Sequence, residues 1–98
     1  MNEFEFLSVE FEFEGTHYNS LVRKKKLNNS FEYHVTIMDG ELEKMLYGNH
    51  IIRQVNGTLL DECDSADKKV VDLKRTVTKA LQKHIAAQES AAMAAARN

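Results

Sequence analysis

The strongest constraint on this chain is a change of hydrophobic period close to residue 60. Before it, apolar residues alternate with polar ones; after it, they recur about every 3.6 residues. A strand sends successive side chains to opposite faces, whereas a helix groups residues three and four apart. An antiparallel sheet backed on one face by a long C-terminal amphipathic helix is therefore expected, an α+β arrangement.

Leu7, Val9, Phe11 and Phe13 alternate with Ser8, Glu10, Glu12 and Glu14, as in a half-buried strand. Phe4 and Phe6 continue the alternation on the other parity. Either a β-bulge near Phe6–Leu7 turns these rings to the core, or they lie on the opposite face. Gly15-Thr16 suits a two-residue type II′ loop, and Asn28-Asn29 suits type I′ because Asn tolerates positive φ. Taken literally, the first loop pairs Phe13 with Tyr18, Phe11 with Ser20 and Val9 with Val22. The second pairs Val22 with Val35, Ser20 with Ile37 and Lys25 with Glu32. A three-stranded meander follows, with a buried row Val9–Val22–Val35 continued on the same face by Tyr33 and Phe31.

Residues 39–48 admit two readings. Asp39-Gly40 is a hairpin signal. Leu42, Met45 and Leu46, however, fall at i, i+3 and i+4, and Gly48 is placed to end a short helix. A helix near 41–47 is the preferred expectation. Beyond it, His50–Val55, the Asn56-Gly57 turn and Thr58–Glu62 form another hairpin, giving about five strands.

The long helix is expected to begin around Asp64–Ser65, with Asp67 in its first turn, where negative charge opposes the helix dipole. Val70, Leu73, Val77, Leu81 and Ile85 make the apolar stripe; Lys68, Asp72, Arg75, Lys79 and Lys83 take the other side. From Ala86 onward the chain is rich in alanine, a strong helix former with little to bury. A helix from Ala66 to Arg97 would be about 48 Å long, against a domain diameter of roughly 30–35 Å. Residues 1–85 are thus expected to form one α+β core, and residues 86–98 an Ala-rich helical extension that overhangs or frays.

Composition narrows the function classes. With 98 residues, 43% hydrophobic and a formal net charge of −2, the chain suits one small domain without a global bias toward polyanions. Cys63 is the only cysteine, so no intrachain disulfide forms, and the reducing cytoplasm is the expected compartment. Residues 1–14 lack the basic and apolar regions of a signal peptide, and no run approaches the roughly 18 apolar residues of a membrane span.

The run Arg23-Lys24-Lys25-Lys26 carries the nucleic-acid alternative, since basic patches bind phosphate backbones. In a strand such a run divides between two faces. Lys25 meets Glu32, Lys26 meets Glu5 if the first register holds, and Lys24 and Lys26 can lay their stems over Leu7 and Phe31. Solvated cross-strand pairing is the favoured reading. His17, His34, His50, His84 and Cys63 share no metal-ligand spacing. Asp61, Glu62, Asp64 and Asp67 miss the calcium-loop pattern and are read as capping charges. Cys63 has no adjacent base and reads as a structural thiol. Neither an enzyme nor a cofactor is expected.

The leading expectation is a non-catalytic interaction module that associates with itself as a homodimer, or with another protein, with no membrane contact. Its contact residues would be Phe4, Phe6, Leu21 and Leu27 on the sheet face away from the helix, near Met38, together with Met93 in the tail.

Overall fold

The computed structural model describes the backbone of residues 4–96 and the side chains of residues 5–90. The order of elements is β1 (Phe4–Phe13), β2 (Thr16–Lys26), β3 (Ser30–Ile37), α1 (Gly40–Leu46), β4 (Ile51–Val55), β5 (Thr58–Leu60) and α2 (Lys68–Ala96). The strands form one antiparallel sheet in the order β1-β2-β3-β4-β5, and α2 packs on it. The α+β class read from the change of period is therefore correct, as is the helix between β3 and β4.

The first hairpin turns one residue earlier than its glycine suggested. Phe13 pairs with Thr16, Phe11 with Tyr18, Val9 with Ser20 and Leu7 with Val22. The loop residues are Glu14 and Gly15, with φ of 51° and 79°, so both central positions are left-handed as in type I′. Glycine serves the second position as well as the first, and this choice lets the Phe11 and Tyr18 rings stack at 5.6 Å. The register differs by two residues from the literal reading, so no side chain changes face. The buried row becomes Leu7–Val22–Val35, and Val9 stands opposite Ser20, whose buried hydroxyl donates to the Val9 carbonyl at 2.8 Å.

Pairing in β1 is continuous from Phe4 to Phe13, without a bulge. Phe6 consequently lies on the face away from α2, 62% exposed. Phe4 pairs with Lys25 in the ladder, but its side chain is outside the described residues.

The second hairpin has the expected register, Val22 opposite Val35 and Lys25 opposite Glu32. Its turn is not type I′: among the described non-glycine residues only Glu14 and Asn56 have positive φ. Loop length and the matching of buried rows set this register, rather than left-handed asparagines.

Asp39 caps α1, its carboxylate accepting from the Leu42 N–H at 3.1 Å, while Leu42 and Leu46 enter the core. Gly48, with φ +90°, follows the helix end as a glycine at C′ does. Asn56-Gly57 forms the anticipated left-handed turn, φ 54° and 80°.

Helix α2 starts at Lys68, later than Asp64–Ser65. Its cap is Asp67, which accepts from the Lys69 N–H at 2.9 Å through its carboxylate and from the Val71 N–H at 3.1 Å through its carbonyl. The preceding acidic residues form a connector from β5, held where the Asp64 N–H donates to the Asn49 side chain at 2.7 Å. The Lys69 ammonium, 3.4 Å from Glu14, sets the helix start beside the first turn. All five stripe residues are buried, and Lys74 and Thr78 are buried with them. The helix of 29 residues is about 43 Å long, comparable with the long dimension of the 46 × 31 × 23 Å molecule. Ile85 is buried, and residues 86–90 after it are exposed.

Candidate interaction surface

Helices α1 and α2 cover one side of the sheet, and the strands' alternate residues form an open face on the other. Across that face the ladder aligns Phe6, Arg23, His34 and Ile51 in one row, and Ser8, Leu21 and Thr36 in the next. Met38 follows on the same parity beside Asn19, its N–H donating to the Asn19 carbonyl at 2.8 Å. Phe6, Leu21, Met38 and Ile51 are 62, 40, 57 and 38% exposed. Phe6, Leu21 and Met38 fall on one diagonal of the ladder, whereas Ile51 stands apart in the row of Phe6, beyond Arg23 and His34.

Charge is unevenly distributed along the strands of this face. Glu10 and Glu12 lie toward the first turn, whereas Arg23, Lys25 and Arg53 lie toward the opposite end, around Glu32. Glu32 is also 3.3 Å from the His34 imidazole. Acidic side chains thus gather toward the first turn and basic ones toward the other end, with Arg23 in the row of Phe6 and Ile51.

Of the residues singled out in the sequence, Phe6 and Leu21 stand on this face. Leu27 lies just past β2 and is half-buried. The side chains of Phe4 and Met93 are outside the described residues. Ile51 was missed, although its parity in β4 opposite to the buried Ile52 was a usable signal.

The basic run divides between the faces. Arg23 and Lys25 are on the open side, Lys25 opposite Glu32. Lys24 is on the helix side, its ammonium 4.3 Å from the Phe31 ring centroid and 5.9 Å from that of Tyr33. It is Lys24, not Lys26, that pairs with Glu5, a consequence of the corrected first turn. Lys26 pairs with Phe31.

Among the described residues, Tyr33 and Lys74 are ionisable groups buried in the interior. Tyr33 is 1% exposed and donates to the Gln54 side chain at 3.0 Å. Burial, reinforced by the negative charges of Glu5 and Glu89, pushes its phenol up to about 12. Lys74 is 2% exposed and donates to the carbonyls of Asn49 and, at 2.9 Å, Ile51. Burial lowers its pKa, while Cys63, Glu62 and Asp61 pull it back upward. Lys74 and Cys63 line a 310 Å³ pocket with Asn49, Arg53 and Leu60. Hydrogen bonds to two backbone carbonyls make this ammonium a tie between α2 and the start of β4.

Among the described residues no three of His, Cys, Asp or Glu are grouped so as to hold a metal ion. No described helix is long and apolar enough to cross a membrane. Compared with known proteins, the chain matches no family model, no curated protein and no solved structure.

Proposed function

We propose that the protein is a non-catalytic interaction module, working in the reducing cytoplasm, that pairs with a second copy of itself through the open sheet face. The supporting observation is the exposed apolar diagonal of Phe6, Leu21 and Met38 on a face whose strands carry acidic side chains toward one end and basic ones toward the other. A two-fold axis running across the strands brings Glu10 and Glu12 of one copy toward Arg23 and Lys25 on the neighbouring strand of the other. The two apolar diagonals cross at Leu21, which meets its counterpart in the centre. Such a self-complementary patch suits a two-fold homodimer, with the sheets stacked about 10 Å apart.

Light scattering on a sizing column tests this reading, with twice the chain mass expected. Phe6→Asp and Leu21→Asp remove the contact from exposed positions, so each should run as a folded monomer. A wild-type monomer at high micromolar concentration would overturn self-association; a dimer indifferent to both substitutions would overturn this surface.

A second reading is binding of single-stranded nucleic acid. Its support is that Arg23 and Lys25 lie on the strand beside the exposed Phe6 ring, combining cations with a stacking surface, with Arg53 farther across the sheet beyond Glu32. Glu32 within the basic end and Glu10 and Glu12 at the other end oppose it. Retention on a random oligonucleotide column at about 50 mM salt, lost as salt rises, would support this alternative. Absence of retention would exclude it.

A further inference from the structure

The sheet has one long open edge. β1 contains 10 residues and has only β2 beside it, whereas the opposite edge, β5, contains 3. A two-residue turn makes its flanking pair, Phe13 and Thr16, exchange hydrogen bonds, and the ladder alternates from there. Phe11, Val9 and Leu7 consequently aim their backbone groups at β2. Glu12, Glu10, Ser8 and Phe6 aim theirs away from the sheet. Among the described residues, no backbone bond outside the ladder reaches these outward groups. An edge of this length is a template for another strand.

A groove of 1230 Å³ runs beside that edge. Ser8, Glu10 and Glu12 line it from β1, and Ala80, Lys83 and Ala87 line it from α2. The two alanines leave room that longer side chains would fill. His84 also lines the groove, and its Nε2 atom is buried without a hydrogen-bond partner among the described residues. Unpaired strand backbone, an adjoining helix flank and an unmet buried polar atom thus occur together.

Charge selects the occupant. A strand added beside β1 sends alternate side chains to the two sides of the sheet. On the side away from α2 they meet Glu10 and Glu12, where Lys or Arg forms favourable cross-strand pairs. On the helix side they meet Phe11, Ala80 and Ala87, where apolar side chains fit, and Lys79 and Lys83 disfavour further positive charge.

We infer that this groove binds an extended segment of another polypeptide, with basic residues alternating with apolar ones, as an added strand beside β1. The acidic alternation of β1 disfavours a second β1 here. This site shares Glu10 and Glu12 with the proposed self-association surface, but it lies along the β1 edge and takes a different partner.

The test uses the full chain and a labelled short peptide of alternating Lys and Val, with fluorescence anisotropy as the readout. Binding is expected, with slowed hydrogen exchange at the amides of Ser8, Glu10 and Glu12. The double substitution Glu10→Lys with Glu12→Lys, at exposed positions, should weaken it roughly tenfold and confer binding to a Glu/Val peptide. Two further peptides, N-methylated on alternate amides, distinguish strand addition from charge attraction. One should lose binding roughly tenfold while the other keeps it, because only alternate amides face β1. Leu21→Asp removes the open-face contact but keeps Glu10, Glu12 and the β1 edge, so it should not weaken peptide binding; a loss would place the peptide on the open face instead. No binding to wild type, equal binding by the double variant, or equal binding by both methylated peptides would overturn the inference.

Discussion

The buried ammonium of Lys74 in α2 donates to the backbone carbonyl of Ile51 in β4 at 2.9 Å, across 23 residues of sequence. The same ammonium donates to the Asn49 carbonyl. Helix and sheet are otherwise joined mainly by apolar packing, so this cation contributes directional contacts that a hydrophobic residue would not reproduce.

Replacing it should be costly. Lys74→Met keeps much of the buried stem but leaves two carbonyls without their donor, an expected loss of about 2–3 kcal/mol in urea unfolding. Lys79→Met, at an exposed position on the same helix, should change stability by less than about 0.5 kcal/mol. Equal effects would show that the tie contributes nothing.

Alkaline stability should report Tyr33 and Lys74 with opposite signs. Tyr33 has its phenol raised from 10.0 to about 12 in the fold. Its contribution is complete below pH 10 and is lost as pH rises to about 12, because the unfolded chain ionises first. Lys74 is lowered from 10.5. Between its folded pKa and 10.5, unfolding takes up a proton, so its contribution grows as pH rises. Tyr33→Phe should remove the decline together with a tyrosinate absorbance step at about 12, and Lys74→Met should remove the rise. A Tyr33→Phe protein that retains that absorbance step would refute the assignment.

The cap of α1 provides a local test. Asp39→Ala removes the acceptor for the Leu42 N–H and should destabilise the fold by about 1 kcal/mol, with Asp39→Asn recovering most of it. Thermal unfolding of the two variants gives the comparison. Identical transitions would mean water replaces the cap without cost.

Deleting residues 88–98 separates the two surfaces considered for self-association. Gln88, Glu89 and Ser90 are exposed, so the thermal transition should change little. With the contact on the open sheet face, the shortened chain should retain the dimer mass that Leu21→Asp loses. The reverse pattern would assign association to the helical extension.

The parts legible in the sequence are those governed by neighbours along the chain. Alternation in β1 placed Phe6 on the opposite face from Leu7, and uninterrupted pairing resolved the question of a bulge. Spacing in α1 outweighed the Asp39-Gly40 turn signal because Leu42 and Leu46 both had a core to enter. The open face was only partly legible, since Ile51 and Arg53 join it through pairing of β4 with β3. The groove was not legible, as it exists only where α2 lies against β1.

By itself, the sequence determined which segments outside residues 39–48 are strand and helix, the apolar side of β1 from Leu7 to Phe13, and the register of β2 on β3. Periodicity and loop length act locally and suffice for these. Tertiary structure decided the position of the first turn, since a shift of two residues preserves every face and leaves the pattern unchanged. It also placed the start of α2 at Lys68, because the connector must first carry the chain away from β5. Lys74 belongs to the same group. Its place between Val70 and Val77 fits the apolar stripe, but only the carbonyls of Asn49 and Ile51 make an ammonium tolerable there.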